Sequence, residues 1–353
     1  MPAKTTTITA RTRKPSHERV DDLHARLMEK VVGQSAAIDS IVPYVQIYQA
    51  GLAPEGRPVG VFLLLGPTGT GKTRTVEALA EVLHGSAKNM LKVDCGEFQM
   101  EHEVAKLIGA PPGYLGHRET QPMLTQMKLN AAASEQSSLS IVLFDEIEKA
   151  APSMTRLLLG VLDKAVLRLG DNTCVNFERS MIFLTSNLGA RGMVRELAPS
   201  FGFESGVPRE TSERGRKLNA IALDAMRKQF SPEFVNRIDN VVTYQPLGDA
   251  ELAAILDQSL DELQRHIMAR LGPCGFELTV EDECRRQLLR QGTSIAYGAR
   301  ELKRTIHRRL TQPLAVMISR GEIEPGARVS VHYDEPLDDF RFRTGKVSAS
   351  AAA

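Results

Sequence analysis

Cysteine is scarce in this chain, and what there is does not cluster. Cys95, Cys174, Cys274 and Cys284 form no C-x-x-C pair and no Cys/His group at metal-ligand spacing. The sequence therefore offers neither a disulfide framework nor a zinc site, and the thiols read as reduced in a cytoplasmic setting. An excess of one charge is also missing. The 44 Lys and Arg residues oppose 43 Asp and Glu, for a formal net charge of +1, which supplies no global attraction to nucleic acid or to an anionic membrane. No apolar run is long enough to span a bilayer, and the N-terminus lacks the apolar core of a signal peptide. No nucleic-acid or membrane partner is expected. The 353 residues suffice for two packed units, one larger than the other.

Residues 1–19 carry Thr, Lys and Arg with no acidic residue before Glu18, the composition of a basic disordered tail. From Val20 an amphipathic helical spacing leads to the turn APEGRP and then to the apolar run VGVFLLL, residues 59–65. Further apolar runs at 91–94, 140–146 and 181–187 alternate with helical stretches such as KTRTVEALAEVL and APSMTRLLLGVLDKAVL. Buried strands alternating with helices predict an α/β fold with a parallel sheet covered on both faces. Beyond Pro246 the pattern changes to helices over 249–271, 281–291 and 298–320, with two short strand-like runs, FELTV and ARVSVHY. The expected division is a tail over 1–19, a large α/β domain over 20–245, and a smaller, mainly helical domain with a two-stranded edge over 246–338. A frayed end over 339–353 completes it.

The run VGVFLLL leads into Gly66, Pro67, Thr68, Gly69, Thr70, Gly71, Lys72 and Thr73 and then into a helix. This is G-x-x-x-x-G-K-[ST] in the strand-loop-helix context it requires, and it predicts a P-loop NTPase sheet. Glycines let successive backbone N–H groups turn inward around phosphate oxygens, the helix N-terminus adds partial positive charge, and Lys72 adds a full one for the β- and γ-phosphates of ATP. Thr73 is placed to ligate Mg2+. Downstream, Ile141-Val142-Leu143-Phe144 ends in Asp145-Glu146, two carboxylates at the carboxyl end of a buried strand, where ligands of open α/β sheets collect. Asp145 is the candidate for hydrated Mg2+, and Glu146 for the general base acting on water. A third strand ends in Thr185-Ser186-Asn187, which brings a polar amide to the same edge.

In this order the motifs resemble the AAA+ ATPases, and within them the second ATPase module of the Clp ring unfoldases of the ClpB and ClpC kind. The segments that carry the resemblance are VVGQ at 31–34, GPTGTGKT, IGAPPGYLG, VLFDEIEKA, LTSNLGA, SPEFVNRID and YGARELKR, spread over most of residues 25–335. The family implies a homohexameric ring that hydrolyses ATP between neighbouring subunits and draws an unfolded or misfolded polypeptide through an axial pore. It assigns Val31 and Val32 to the adenine side, residues 66–73 to the phosphates, Asp145 and Glu146 to magnesium and base, and Asn187 to the first sensor. Arg237 matches the arginine finger that reaches the next subunit, and Arg300 the second sensor on the small domain. Tyr114 and Leu115, between Gly113 and Gly116, match the pore loop. There the flexible glycines and a broad amphipathic ring suit a grip that tolerates many side chains.

Three departures from the family bear on function. The stretch LDKAVLRLGDNTCVNFERS replaces an Asp/Gly/Arg-rich second loop, so a second pore contact is in question. Ser231 stands where an arginine is usual. A receptor domain, a first ATPase ring and a coiled-coil insertion are absent from the sequence, which predicts a single motor module served by its pore, its basic tail or an adaptor. Phe201-Gly202-Phe203 loosely fits the loop with which some members dock a ClpP-like peptidase. The leading expectation is an ATP-hydrolysing unfoldase or remodelling chaperone. The alternatives are a ClpP-docking unfoldase subunit, an ATP-gated scaffold, and a nucleic-acid remodeller on the same core.

Overall fold

A computed structural model describes residues 18–109, 122–197, 211–294 and 297–345. Its central sheet is parallel, with β1 (Gly60–Leu65), β2 (Leu91–Asp94), β3 (Ser140–Asp145), β6 (Ser180–Ser186) and β7 (Asn240–Thr243) in the order β2-β3-β6-β1-β7. β1 and β6 are buried at every position, as strands covered on both faces must be. Successive side chains leave on opposite faces. Val61, Leu63 and Leu65 pack with Val142, Phe144 and the helix Pro152–Lys164, whereas Phe62 and Leu64 pack with Phe183 and the helices Ser35–Gln49 and Lys72–His84. Phe62 stacks on Phe183 at 5.2 Å and takes the edge of Tyr44 at 4.9 Å, which fixes the register of three elements at once.

β7 lies outside the four apolar runs. Its sequence, NVVT, is short and only partly buried, so no continuous hydrophobic signal marks it. Polar contacts hold it: Asp239 donates its N–H to the Val61 carbonyl at 2.9 Å and accepts the Val61 N–H at Oδ2 at 2.8 Å. A second departure is the helix expected through Leu167. It ends at Lys164, where Ala165 turns left-handed at φ 52°, and a hairpin of β4 (Val166–Arg168) and β5 (Cys174–Asn176) follows. Leu167 and Val175 are the inward residues of this hairpin and belong to the sheet's core.

The strand order is what builds the site. β1, β3 and β6 are all parallel, so the phosphate loop, the Asp145-Glu146 pair and Asn187 leave the sheet at one edge. β6 lies between the other two, so Asn187 falls between the loop and the acids.

Beyond β7 come the helices Asp249–Leu271, Asp282–Gly292 and Ala299–Ile306, the last continuing through a wide turn at His307–Thr311 into Gln312–Ser319. Pro313 has no N–H to give to that turn, and the extra residue in the turn absorbs the loss without breaking the helix. The expected two-stranded edge has a third member: β8 (Glu277–Val280) runs parallel to β9 (Arg328–Asp334), which pairs antiparallel with β10 (Asp339–Gly345). β10 falls in the stretch expected to fray. Its alternation of Asp339, Arg341 and Arg343 with Phe340 and Phe342 is a strand signal that the small, polar residues after it obscure. Phe340 is buried against Tyr333 with ring centroids 5.8 Å apart, and the Arg309 guanidinium lies 5.7 Å from its centroid. Among the described residues no helix is long and apolar enough to cross a membrane.

The third strand makes a direct prediction. Phe340→Ala is expected to cost the small domain about 3 to 4 kcal/mol, read as a lower urea midpoint for the part of the transition reported by exchange of β8 and β9 amides.

Candidate functional site

A cleft of about 680 Å3 opens between the carboxyl edge of the sheet and the second domain. Its floor is the loop from Gly66 to Thr73. Gly69 and Gly71 have φ values of 78° and 102°, and the second of these starts the helix Lys72–His84, so the turn needs residues without a Cβ. Gly66 is constrained by proximity as well: a Cβ there would meet the Tyr244 carbonyl oxygen at 2.6 Å. Tyr244 is fully buried, with its hydroxyl donating to Thr75 Oγ1 at 2.9 Å, and so fixes the loop from beneath. Gln34 holds it from the side, its Nε2 donating to the carbonyls of Thr70 at 3.1 Å and Gln245 at 3.0 Å.

Lys72 is buried at 7 % exposure, and its ammonium donates to the carbonyls of Gly66 at 2.7 Å and Pro67 at 2.8 Å and to Asn187 Oδ1 at 3.0 Å. Burial pushes its pKa down to about 8, against the pull of the Glu148, Asp145 and Glu146 carboxylates, with Arg300 adding to the depression. The ammonium is thus held charged by oxygens at the point where a phosphate would supply more of them.

Thr185 organises the acids. Its hydroxyl donates to Asp145 Oδ1 in a short bond and accepts the Glu146 N–H at 3.0 Å. Asp145 also takes the Thr73 hydroxyl at 3.4 Å and the Lys92 ammonium at 3.0 Å. Burial alone would raise the Asp145 pKa, but the Thr185 hydroxyl, Lys92 and the Thr73 hydroxyl outweigh it and hold the carboxyl below its ordinary value. Glu146 sits at φ 57°, a left-handed turn that a glutamate adopts at a cost of about 1 kcal/mol. Its Oε1 accepts from Asn187 Nδ2 at 3.3 Å, and its Oε2 pairs with the Lys149 ammonium. Asn187 therefore points its carbonyl at Lys72 and its amide at Glu146, the orientation that satisfies both.

Thr73 Oγ1 and Asp145 Oδ1 form a small, hard-oxygen donor pair at the lip of the loop. That chemistry fits Mg2+, which keeps several waters and draws its other ligands from phosphate.

The second domain closes the other wall. Ala299 donates its N–H to the Gly69 carbonyl at 3.1 Å, and the Tyr297 carbonyl occupies the place a Gly69 side chain would need. The helix Ala299–Ile306 thus begins on the phosphate loop, with Arg300, Lys303 and Arg304 lining the cleft. Gln258 Nε2 donates to the Glu29 carbonyl at 2.7 Å, and Arg74 reaches Glu262 at 3.4 Å, which ties the same two walls further out. Val31 and Val32 line the cleft at that end.

The residues expected to act together from the loop, Asp145, Glu146, Asn187, Arg300 and the two valines thus meet at one cleft. Arg237 does not. Its guanidinium lies near Asp163 on the helix Pro152–Lys164, with Nε 3.0 Å from Oδ1 but too poorly aligned to count as hydrogen-bonded. Tyr114 and Leu115, and Phe201-Gly202-Phe203, lie outside the described residues. Thr185, Lys92, Lys149 and Glu148 belong to the site but were not singled out as site residues from sequence. Lys92 sits in β2 beside β3, where pairing carries its charge to Asp145, and Glu148 follows the acidic pair within DEIEK. Both are visible as polar residues beside apolar ones, yet neither spacing names a target.

Gly69→Ala is expected to separate the second domain from the phosphate loop, because the added methyl overlaps the Tyr297 carbonyl. Faster hydrogen exchange at the Ala299 amide would report it.

Comparison with known proteins agrees with this geometry. A family model described as AAA domain (Cdc48 subfamily) matches residues 57–241, and one described as the C-terminal, D2-small domain of ClpB protein matches residues 247–331. The chaperone protein ClpB of Aquifex aeolicus is 36% identical over 337 residues, covering 94% of this chain and 31% of the relative. The ClpB of Meiothermus ruber is 38% identical over 311 residues, covering 88% of this chain and 33% of the relative. The chain spans about a third of the length of the curated relatives it matches. Among solved structures, Hsp104 with ATPγS and FITC casein in a closed state superposes with a TM-score of 0.76 at 28% identity, covering 94% of this chain and 53% of that one. An extended Saccharomyces cerevisiae Hsp104:casein complex gives 0.78 at 27% identity, with the same coverage. Docking to a ClpP-like peptidase gains no support from these relatives, which carry the name chaperone protein ClpB.

Proposed function

Because this chain belongs to the AAA domain family, with a family match over residues 57–241, we propose that it is an ATP-hydrolysing motor module that remodels polypeptides. The observation that carries this reading is the meeting of Lys72, Asp145, Glu146, Asn187 and Arg300 around one cleft between two domains.

In this reading the Lys72 ammonium exchanges its bonds to the loop carbonyls for bonds to the β- and γ-phosphates, and the glycine loop supplies backbone N–H groups around them. Thr73 and Asp145 hold Mg2+, which neutralises charge on the phosphate oxygens when bound. Glu146 takes the proton from the attacking water, and Asn187, bonded to both Glu146 and Lys72, keeps base and ammonium at fixed separation. Arg300 approaches the same phosphates from the second domain, so the hydrolytic state and the angle between the domains become linked. A guanidinium suits that task because it is always charged and forks onto phosphate oxygens.

Arg237 serves a neighbouring subunit in this proposal. It lies off its own cleft, about a third of its side chain is exposed, and Asp163, its partner among the described residues, is itself partly exposed. A ring of six such subunits brings each cleft against the next Arg237, and Tyr114, between Gly113 and Gly116 in sequence, grips the polypeptide that moves along the axis. Hsp104, a structural neighbour, was solved with ATPγS and FITC casein, a nucleotide analogue together with a protein ligand.

Glu146→Gln is expected to lower ATP turnover by at least a hundredfold while leaving binding of a fluorescent ATP analogue intact; unchanged turnover would remove Glu146 from the base role. Tyr114→Ala is expected to keep basal ATPase within about twofold and to abolish unfolding of a tagged test protein. Unfolding at the parental rate in that variant would rule out the pore-loop assignment.

A further inference from the structure

A second cavity of about 290 Å3 is lined by Glu148, Gln229, Phe230, Ser231 and Phe234. Glu148 lines this second cavity and also reaches Asn187, which lines the cleft. Its Oε1 accepts the backbone N–H of Asn187 at 3.0 Å, and its Oε2 is buried with no hydrogen-bond partner among the described residues. Its backbone carbonyl is held by Gln229 Nε2 at 3.4 Å.

As a stabilising contact this arrangement makes little sense. A carboxylate oxygen removed from water without a donor costs more than one hydrogen bond to a backbone amide returns. Its charge supports the Lys72 ammonium, yet Asp145 and Glu146 supply charge of the same sign to that lysine. What the carboxylate does achieve is placement. Asn187 is the residue whose side chain spans Lys72 and Glu146. The residue follows the last position of β6, where ladder hydrogen bonds no longer hold the backbone. Its side-chain direction depends on the peptide plane before it, and Glu148 pins that plane. Because Glu148 follows Glu146 within the same turn, the pin and the base move as one body.

We propose that Glu148 is a positioning residue of the hydrolytic site, acting through the Asn187 backbone amide to set the Asn187 side chain between Lys72 and Glu146. The effect on turnover rests on the ATPase reading above; the contact itself does not. Among the described residues, Oε1 is the oxygen of this carboxylate that has a hydrogen-bond anchor.

The test compares the full chain carrying Glu148→Ala and Glu148→Gln. Glutamine keeps an acceptor at Oε1 and removes the charge, whereas alanine removes both. Glu148→Ala is expected to reduce kcat about 10- to 100-fold with KM for ATP changed less than about twofold. Glu148→Gln is expected to recover most of kcat. The backbone amide resonance of Asn187 should move upfield in Glu148→Ala and stay near its parental position in Glu148→Gln. A parental kcat in Glu148→Ala, an equal loss in both variants, or an Asn187 resonance that does not respond would each overturn the proposal. A parental chain without ATPase activity would overturn the functional reading instead, and the Asn187 resonance would still decide the contact.

Discussion

A buried ammonium needs oxygen around it, and the architecture of this protein follows from meeting that need at Lys72. The lysine stands at the first turn of a helix packed on the sheet, where water does not reach it. The loop carbonyls of Gly66 and Pro67 and the amide oxygen of Asn187 supply hydrogen bonds, and the carboxylates of Glu148, Asp145 and Glu146 supply charge. These groups come from β1, from the turn after β3 and from the end of β6. Their convergence requires the parallel registers of all three strands, so the electrostatics of one side chain and the topology of the sheet are a single constraint.

The second domain meets the first at the same loop. The Tyr297 carbonyl fills the space beside Gly69, and Ala299 donates to the Gly69 carbonyl, so the helix that carries Arg300 starts on the phosphate cradle. Peripheral contacts from Gln258 and Arg74 reinforce the docking. Exposed ion pairs such as Arg74 with Glu262 add little energy; the backbone contact at Gly69 has no flexible side chain to yield. Any displacement of the loop therefore bears on the angle between the domains.

The parts of the site legible in the sequence are those where backbone conformation dictates residue type. Gly69 and Gly71 must lack a Cβ, Lys72 and Thr73 follow them at fixed helical positions, and Asp145 and Glu146 end an apolar strand. Such requirements leave a local mark. Thr185, Lys92, Lys149 and Glu148 leave none, because their roles come from strand pairing and turn geometry. Lys92 matters because β2 lies beside β3, and Glu148 because a left-handed Glu146 swings the next turn toward the end of β6. The same holds for the fold. β1, β3 and β6 announced themselves as buried runs, whereas β7 is held by Asp239 and Arg57 at an edge, and β10 depends on the pairing of Phe340 and Phe342 with β9.

By itself, then, the sequence determined a phosphate loop, an acidic strand end, an α/β sheet with a helical companion, and a family resemblance that the comparisons bear out. Those rest on interactions between residues close along the chain or on burial patterns with a fixed period. Only the tertiary structure decided that β6 inserts between β1 and β3, that Asn187 thereby spans lysine and glutamate, and that Glu148 holds Asn187 from behind. These facts depend on which strands become neighbours. That choice is made by burying both faces of the sheet at once, and no local spacing encodes it.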